Sequence, residues 1–148
     1  MLHFTFVCVG TVKEKYMREA IGDYSKRLSK YAKLNFIEVP EGISVKKEGE
    51  ALLSRLPERT FVVALDLAGK NMSSPAVAAF LEHKASGGVS HFVFVIGGSD
   101  GLACAVTERA DFRLCLSALT FPHQMARLIL LEQLYRAMKI NHGEKYHK

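Results

Sequence analysis

The chain has 148 residues, nearly half of them apolar and about a quarter charged, with a formal net charge of +5. That length fits one domain with a proper core, or one protomer of an obligate oligomer. Its three scattered cysteines, Cys8, Cys104 and Cys115, exclude a disulfide or zinc framework and read as reduced residues of a cytosolic protein, while no stretch is long enough to span a bilayer.

Alternation of Leu2, Phe4, Phe6 and Cys8 predicts a first strand that Gly10 ends. The run is short and has no basic leader, so it reads as a strand and not as an export signal. Apolar residues at Tyr16, Met17, Ala20, Ile21, Tyr24, Leu28 and Tyr31 repeat at helical spacing and predict a helix over 13–31. A strand over 34–39 follows, closed by Pro40-Glu41-Gly42, then a helix over 46–56 and a buried strand, TFVVALDL, over 60–67. Ser74-Pro75 supplies a capping hydroxyl and a first-turn proline for a helix that ends near Gly87-Gly88. The remaining elements are a strand over 91–96, a helix over 102–109, a strand over 113–116 and a last helix over 123–140. Strands alternating with helices, unbroken by any linker or repeat, predict a single α/β domain over 1–148 with a mainly parallel sheet.

The last helix has no clean solvent face. Its polar residues, Gln124, Arg127, Glu132, Gln133, Arg136 and Lys139, are scattered among Met125, Leu128, Ile129, Leu130, Leu131, Leu134, Tyr135 and Met138. Such a helix is covered on two sides. In a small α/β domain one cover is its own sheet and the other a second subunit, which predicts a twofold homodimer. Arg127 and Arg136 lie on this helix, and two roles stay open for them: an ion pair with Glu132 of the partner, or a reach toward RNA.

The segment HFVFVIGGSDGL, 91–102, runs a strand into a glycine turn. A phosphate loop of the Walker type needs lysine and serine or threonine after its last glycine, where Leu102 and Ala103 stand. A dinucleotide fingerprint belongs in the first βαβ unit, and Asp100 would repel a pyrophosphate. A nucleoside without phosphates, such as S-adenosylmethionine, tolerates the acid because its sulfonium is positive. The plain alternative is that Ser99 and Asp100 cap the following helix with no ligand present. Taken by itself, spacing favours the cap.

Several segments shift that balance. ALDLAGK (64–70), VIGGSDG (95–101), LSALTFPHQMARLILLEQLYRAMKI (116–140) and the closing NHGEKYHK, with the early VGT and KKEGEALL (46–53), resemble the SPOUT-class RNA methyltransferases. Within that class the likeness is to the group acting on a pseudouridine of bacterial 23S rRNA, and it covers essentially the whole chain. Two departures stand out: the segment 41–45 is shorter than usual, and Phe121 stands where leucine is common.

The resemblance implies a C-terminal trefoil knot, S-adenosylmethionine as cofactor, homodimerisation, a cytoplasmic location, and methyl transfer to N3 of a pseudouridine in 23S rRNA on the assembled ribosome. The cofactor slot it implies falls on Leu65, Gly98 and the loop Ser117, Ala118, Leu119, Thr120, Phe121 and Pro122. Local chemistry agrees: glycine lets a backbone come close, and the loop offers main-chain groups for an adenine edge. For the departing N3 proton, His123 and His147 are the candidate basic groups, with helix capping the plain alternative for His123. Tyr146 either stacks on a base or packs on the partner subunit, and the resemblance assigns the Tyr146-His147 ending to the active site. Arg127 is a further candidate. His3, His83 and His91 read as ordinary surface or strand residues. His142 and His147, without a cysteine or carboxylate cluster, make no metal site. Basic residues along the first helix, Lys13, Lys15, Arg18, Lys26, Arg27, Lys30 and Lys33, support an RNA-facing patch only in aggregate.

Overall fold

A computed structural model describes every residue of the chain except Ile43. Within the short segment 41–45, Ile43 lies outside the described residues, while its neighbours lead from the second strand into the next helix. Ten elements follow in strict alternation: β1 (Leu2–Val9), α1 (Lys15–Leu28), β2 (Ala32–Val39), α2 (Val45–Ser54), β3 (Phe61–Asn71), α3 (Ser74–Ser86), β4 (His91–Ile96), α4 (Cys104–Arg109), β5 (Phe112–Cys115) and α5 (His123–Asn141). All the strands pair in parallel, in the order β2-β1-β4-β3-β5.

The central strands are apolar on both faces because both faces are covered. Phe4, Phe6, Cys8, Phe92, Phe94 and Ile96 pack beneath α1, α3 and α5, where Leu28, Leu81, Leu130, Leu131 and Leu134 close the larger core. Val7, Val9, Val62, Val93 and Val95 point the other way, against Leu52 of α2 and Val106 of α4. α2 comes in close through Gly49, where a Cβ would meet that of Ala103 at 2.7 Å.

The first helix is shorter than the expected 13–31, and the second strand starts earlier than 34; three further differences have clear physical reasons. The capping hydroxyl of α3 is Ser73, which accepts the Ala76 N–H at 3.2 Å, so Ser74 and Pro75 lie inside the first turn. β3 runs on to Asn71, because a register shift between Leu65 and Lys70 lets its polar end keep pairing with β5. α4 begins only at Cys104, with Ala103 as N-cap and no side-chain cap bond. Ser99 and Asp100 therefore do not cap it, and the plain explanation for the glycine turn is lost.

α5 lies between α1 and α3, over the larger core. Its outer face stays half-exposed, with Met125 39% exposed. Arg127 does not take either role left open for it. It is buried against its own chain, with its guanidinium 2.7 Å from Glu38 of β2 and 3.2 Å from the Gly10 carbonyl.

Candidate active site

The carboxyl ends of β3, β4 and β5 converge on one cleft, which is where an open α/β sheet offers a crevice to ligands. The cleft encloses about 380 Å³, within the range of small-molecule sites. Leu65 and Asp66 bring β3 to it, Ile96 brings β4, and Leu114 with Leu116 brings β5. The turn 97–102 forms one wall, and Ser117, Leu119, Thr120 and Phe121 form another. His123 and Ala126, from the first turn of α5, complete it.

The glycine turn is folded tightly on itself. Gly98 and Gly101 form an isolated bridge, and the Gly101 N–H donates to the Gly98 carbonyl at 3.1 Å. A Cβ on Gly97 would lie 2.7 Å from the Gly101 carbonyl oxygen, so no side chain fits there. Gly101 has φ +83°, the left-handed region that glycine enters freely. A Cβ on Gly98 would stand 3.2 Å from Val9 and 3.4 Å from the Glu48 carboxylate.

The second wall is an exposed loop pinned at two points. The Cys115 thiol contacts the Ser117 carbonyl at 3.0 Å, and the Ser117 hydroxyl accepts the Leu119 N–H at 3.0 Å. Leu119 is 70% exposed and offers an apolar flap to whatever enters.

The cleft is acidic although the chain is basic. Asp66 and Asp100 line it and neither lysine nor arginine does. Asp66 is held in place, accepting the Ala68 N–H at 3.0 Å and lying 3.6 Å from Arg113. Such a lining disfavours a phosphate and suits a cation.

Of the residues the sequence assigned to the slot, Leu65, Gly98, Ser117, Leu119, Thr120 and Phe121 line the cleft, while Ala118 and Pro122 sit in the same loop outside its lining. Of the candidates for chemistry, His123 lines it. Tyr146 and His147 do not: the tail folds back along α5. There the Tyr146 hydroxyl donates to Glu132 at 3.1 Å, its ring meets Tyr135 edge-on at 4.8 Å, and Arg136 covers it at 4.8 Å. Burial and the Tyr24 and Glu132 contacts push the Tyr146 phenol well above its usual range, so it acts as a neutral hydrogen-bond donor. His147 rests against Arg136 at 3.1 Å.

Sequence reasoning missed two glutamates at the end of β2. Glu38 pairs with Arg127, and Glu41 approaches His123 at 3.6 Å. The only signal was a pair of acids flanking the strand end in IEVPEG, which carries no hint of partners so far along the chain. Burial raises the thiol of nearby Cys8 to about 11, with Arg127 opposing that shift.

A parallel sheet whose carboxyl ends carry a glycine turn and a second loop around a ligand-sized cleft defines an open α/β protein with its candidate site at the strand ends. The chain belongs to the SPOUT methyltransferases: the family described as "Predicted SPOUT methyltransferase" matches residues 2–147. Among its relatives, the Ribosomal RNA large subunit methyltransferase H of Carboxydothermus hydrogenoformans is 51% identical, over 99% of this chain and all of the relative. The protein of the same name from Clostridium acetobutylicum is 47% identical over the same shares. Two solved structures share the fold at low identity. A probable methylase family protein from Haemophilus influenzae has TM-score 0.58 and 13% identity, over 98% of this chain and 70% of that one. The A. aeolicus TrmH/SpoU tRNA modifying enzyme has TM-score 0.51 and 16% identity, over 95% and 77%.

Proposed function

We propose that this protein methylates 23S rRNA, transferring a methyl group from S-adenosylmethionine to N3 of a pseudouridine on the assembled ribosome. The observation that carries the reading is the cleft itself: two carboxylates, paired glycines, and neither lysine nor arginine among the described lining residues. When bound, the donor supplies an electrophilic methyl on a positively charged sulfur. Gly98 and the loop around Ser117, Leu119 and Thr120 would hold its nucleoside, and Leu65, Leu116 and Phe121 would flank it. The family, the named relatives and the +5 charge support an RNA substrate, and the same reading includes a cytoplasmic location and the knotted C-terminal threading.

The tail enters this reading through the dimer. Tyr146 is bonded to Glu132, nine residues beyond His123, which at ~1.5 Å per residue is about 13 Å along α5. The tail therefore serves a partner's cleft in preference to its own, with Tyr146 and His147 meeting the RNA base and its phosphates.

Calorimetry with S-adenosylmethionine tests the cofactor: saturable binding is expected, and none at millimolar donor sinks it. Mass spectrometry of 23S rRNA from a deletion strain tests the substrate. Loss of one methylated pseudouridine is expected, and an unchanged large-subunit pattern rules it out. In vitro methylation of free rRNA, isolated subunits and whole ribosomes identifies the form acted upon.

A further inference from the structure

We infer that His123 is the group that takes the N3 proton, and that Glu41 is the positioning residue that fixes its proton on Nε2. The inference rests on the methyltransferase reading and goes beyond it by naming the proton acceptor and what orients it. His123 is the one histidine in the cleft lining, and its side chain is only 17% exposed. Its Nε2 is buried and has no hydrogen-bond partner among the described residues. The nearest charge is the half-exposed Glu41 carboxylate, whose Oε1 stands 3.6 Å from that nitrogen. That is beyond hydrogen-bond reach and within ion-pair range. The assignment requires a small side-chain rotation to close that contact.

Gly10 makes room for this arrangement. A Cβ there would lie 2.9 Å from Glu41 Oε1, and the residue's φ of +82° favours glycine in any case. The carboxylate occupies space that any other residue would fill, between the end of β1 and the start of α5. Arg127, one turn along α5, is matched by Glu38 at 2.7 Å, and Asp66 and Asp100 belong to the same cleft lining. Among the described residues, Glu41 is the carboxylate that stands within ion-pair range of Nε2.

The chemistry balances. With hydrogen held on Nε2 toward Glu41, the lone pair of Nδ1 is available to accept. The N3 proton passes to Nδ1, and the electron pair it leaves on nitrogen forms the new bond to the donor methyl. The electrons of the broken carbon–sulfur bond stay on sulfur as a neutral thioether. The imidazolium that results faces the Glu41 carboxylate and then returns its proton to solvent.

The experiment uses the full chain with His123→Asn and Glu41→Gln, and ribosomes from a strain lacking the modification. Single-turnover methylation is expected to slow about a hundredfold for H123N and about tenfold for E41Q at neutral pH. Donor affinity by calorimetry should stay within about twofold of wild type, which separates chemistry from folding. Raising the pH until N3 ionises unaided should erase most of both defects. Without donor or RNA, ¹⁵N NMR of the imidazole should show hydrogen on Nε2 in wild type and mixed tautomers in E41Q. Unchanged rates, a defect equal at every pH, or donor affinity falling in step with rate overturns the assignment. A wild-type chain that binds no donor overturns the methyltransferase reading instead.

Discussion

Gly97 has no room for a side chain, because its missing Cβ is what lets the Gly101 carbonyl fold back to within 2.7 Å of that point. Gly97→Ala must open the turn that forms one wall of the cleft. Donor affinity by calorimetry is expected to fall at least about tenfold, with a stability loss of about 1–3 kcal/mol in urea for the overpacking. Asp100 sits in the same turn and is exposed, so its field acts through water and is screened. On the proposed reading, that field would distinguish a sulfonium donor from the neutral thioether product. Asp100→Asn should weaken donor binding by about two- to fivefold, as for an exposed charge pair, and leave product binding unchanged. The difference should shrink as salt is raised. Equal loss for both ligands would assign Asp100 a role in shape and not in charge.

Helices and strands are joined here by a few polar contacts whose partners lie far apart in sequence. Arg127 ties α5 to the end of β2 and to the Gly10 turn of β1. Removing it strands Glu38 against the protein, and because Glu38 is about a third exposed the cost is discounted from that of a fully buried pair. Arg127→Leu is expected to lower stability by about 1–3 kcal/mol in urea, with Glu38→Gln recovering part of it in the double variant. At the other end of the sheet, His3 and His91 face each other across β1 and β4, rings stacked at 3.9 Å. Burial, and secondarily His3, hold the His91 imidazole below its usual range. The folded state therefore binds fewer protons than the unfolded chain just below the ordinary histidine value near ~6.5. Stability from this group is present above that pH and lost as pH falls through the lowered value. The melting temperature should drop between pH 7.5 and pH 5, and His3→Gln should reduce the drop. Both pairings were illegible in the sequence. His3 and His91 looked like ordinary residues, and Arg127 looked like an interface cation, because periodicity reports which face a residue occupies and not what approaches it. The strands themselves were legible, since Phe4, Phe6, Phe92 and Phe94 must be apolar wherever a sheet is covered on both sides. The polar extension of β3 to Asn71 was not, because its pairing depends on backbone register and carries no apolar signal.

At the scale of the whole molecule, the cleft and the tail are separated in a way one chain does not resolve. The glycine turn and the 117–122 loop were legible because their residues are close in sequence and their conformational demands are local. The place of Tyr146 and His147 was not, since a tail's path is set by what it docks against. In this chain it docks on Glu132, Tyr135 and Arg136 of α5, beside the helix's half-exposed outer face. A twofold partner packed on that face would bury Met125 and its neighbours and bring each tail toward the opposite cleft. Sedimentation should therefore show a dimer at micromolar concentration. The sharper consequence concerns two impaired variants mixed together and assayed at a donor concentration too low to fill the Gly97→Ala cleft. One lacks residues 144–148 and keeps a sound cleft; the other carries Gly97→Ala and keeps a sound tail. If each cleft works with the partner's tail, a heterodimer holds one sound cleft facing one sound tail. Refolding an equal mixture should then yield about half heterodimers, each with one working site, and about a quarter of wild-type activity. Proven heterodimers with no activity would show that each chain's tail serves its own cleft, and the docked position on α5 would then have to release before catalysis.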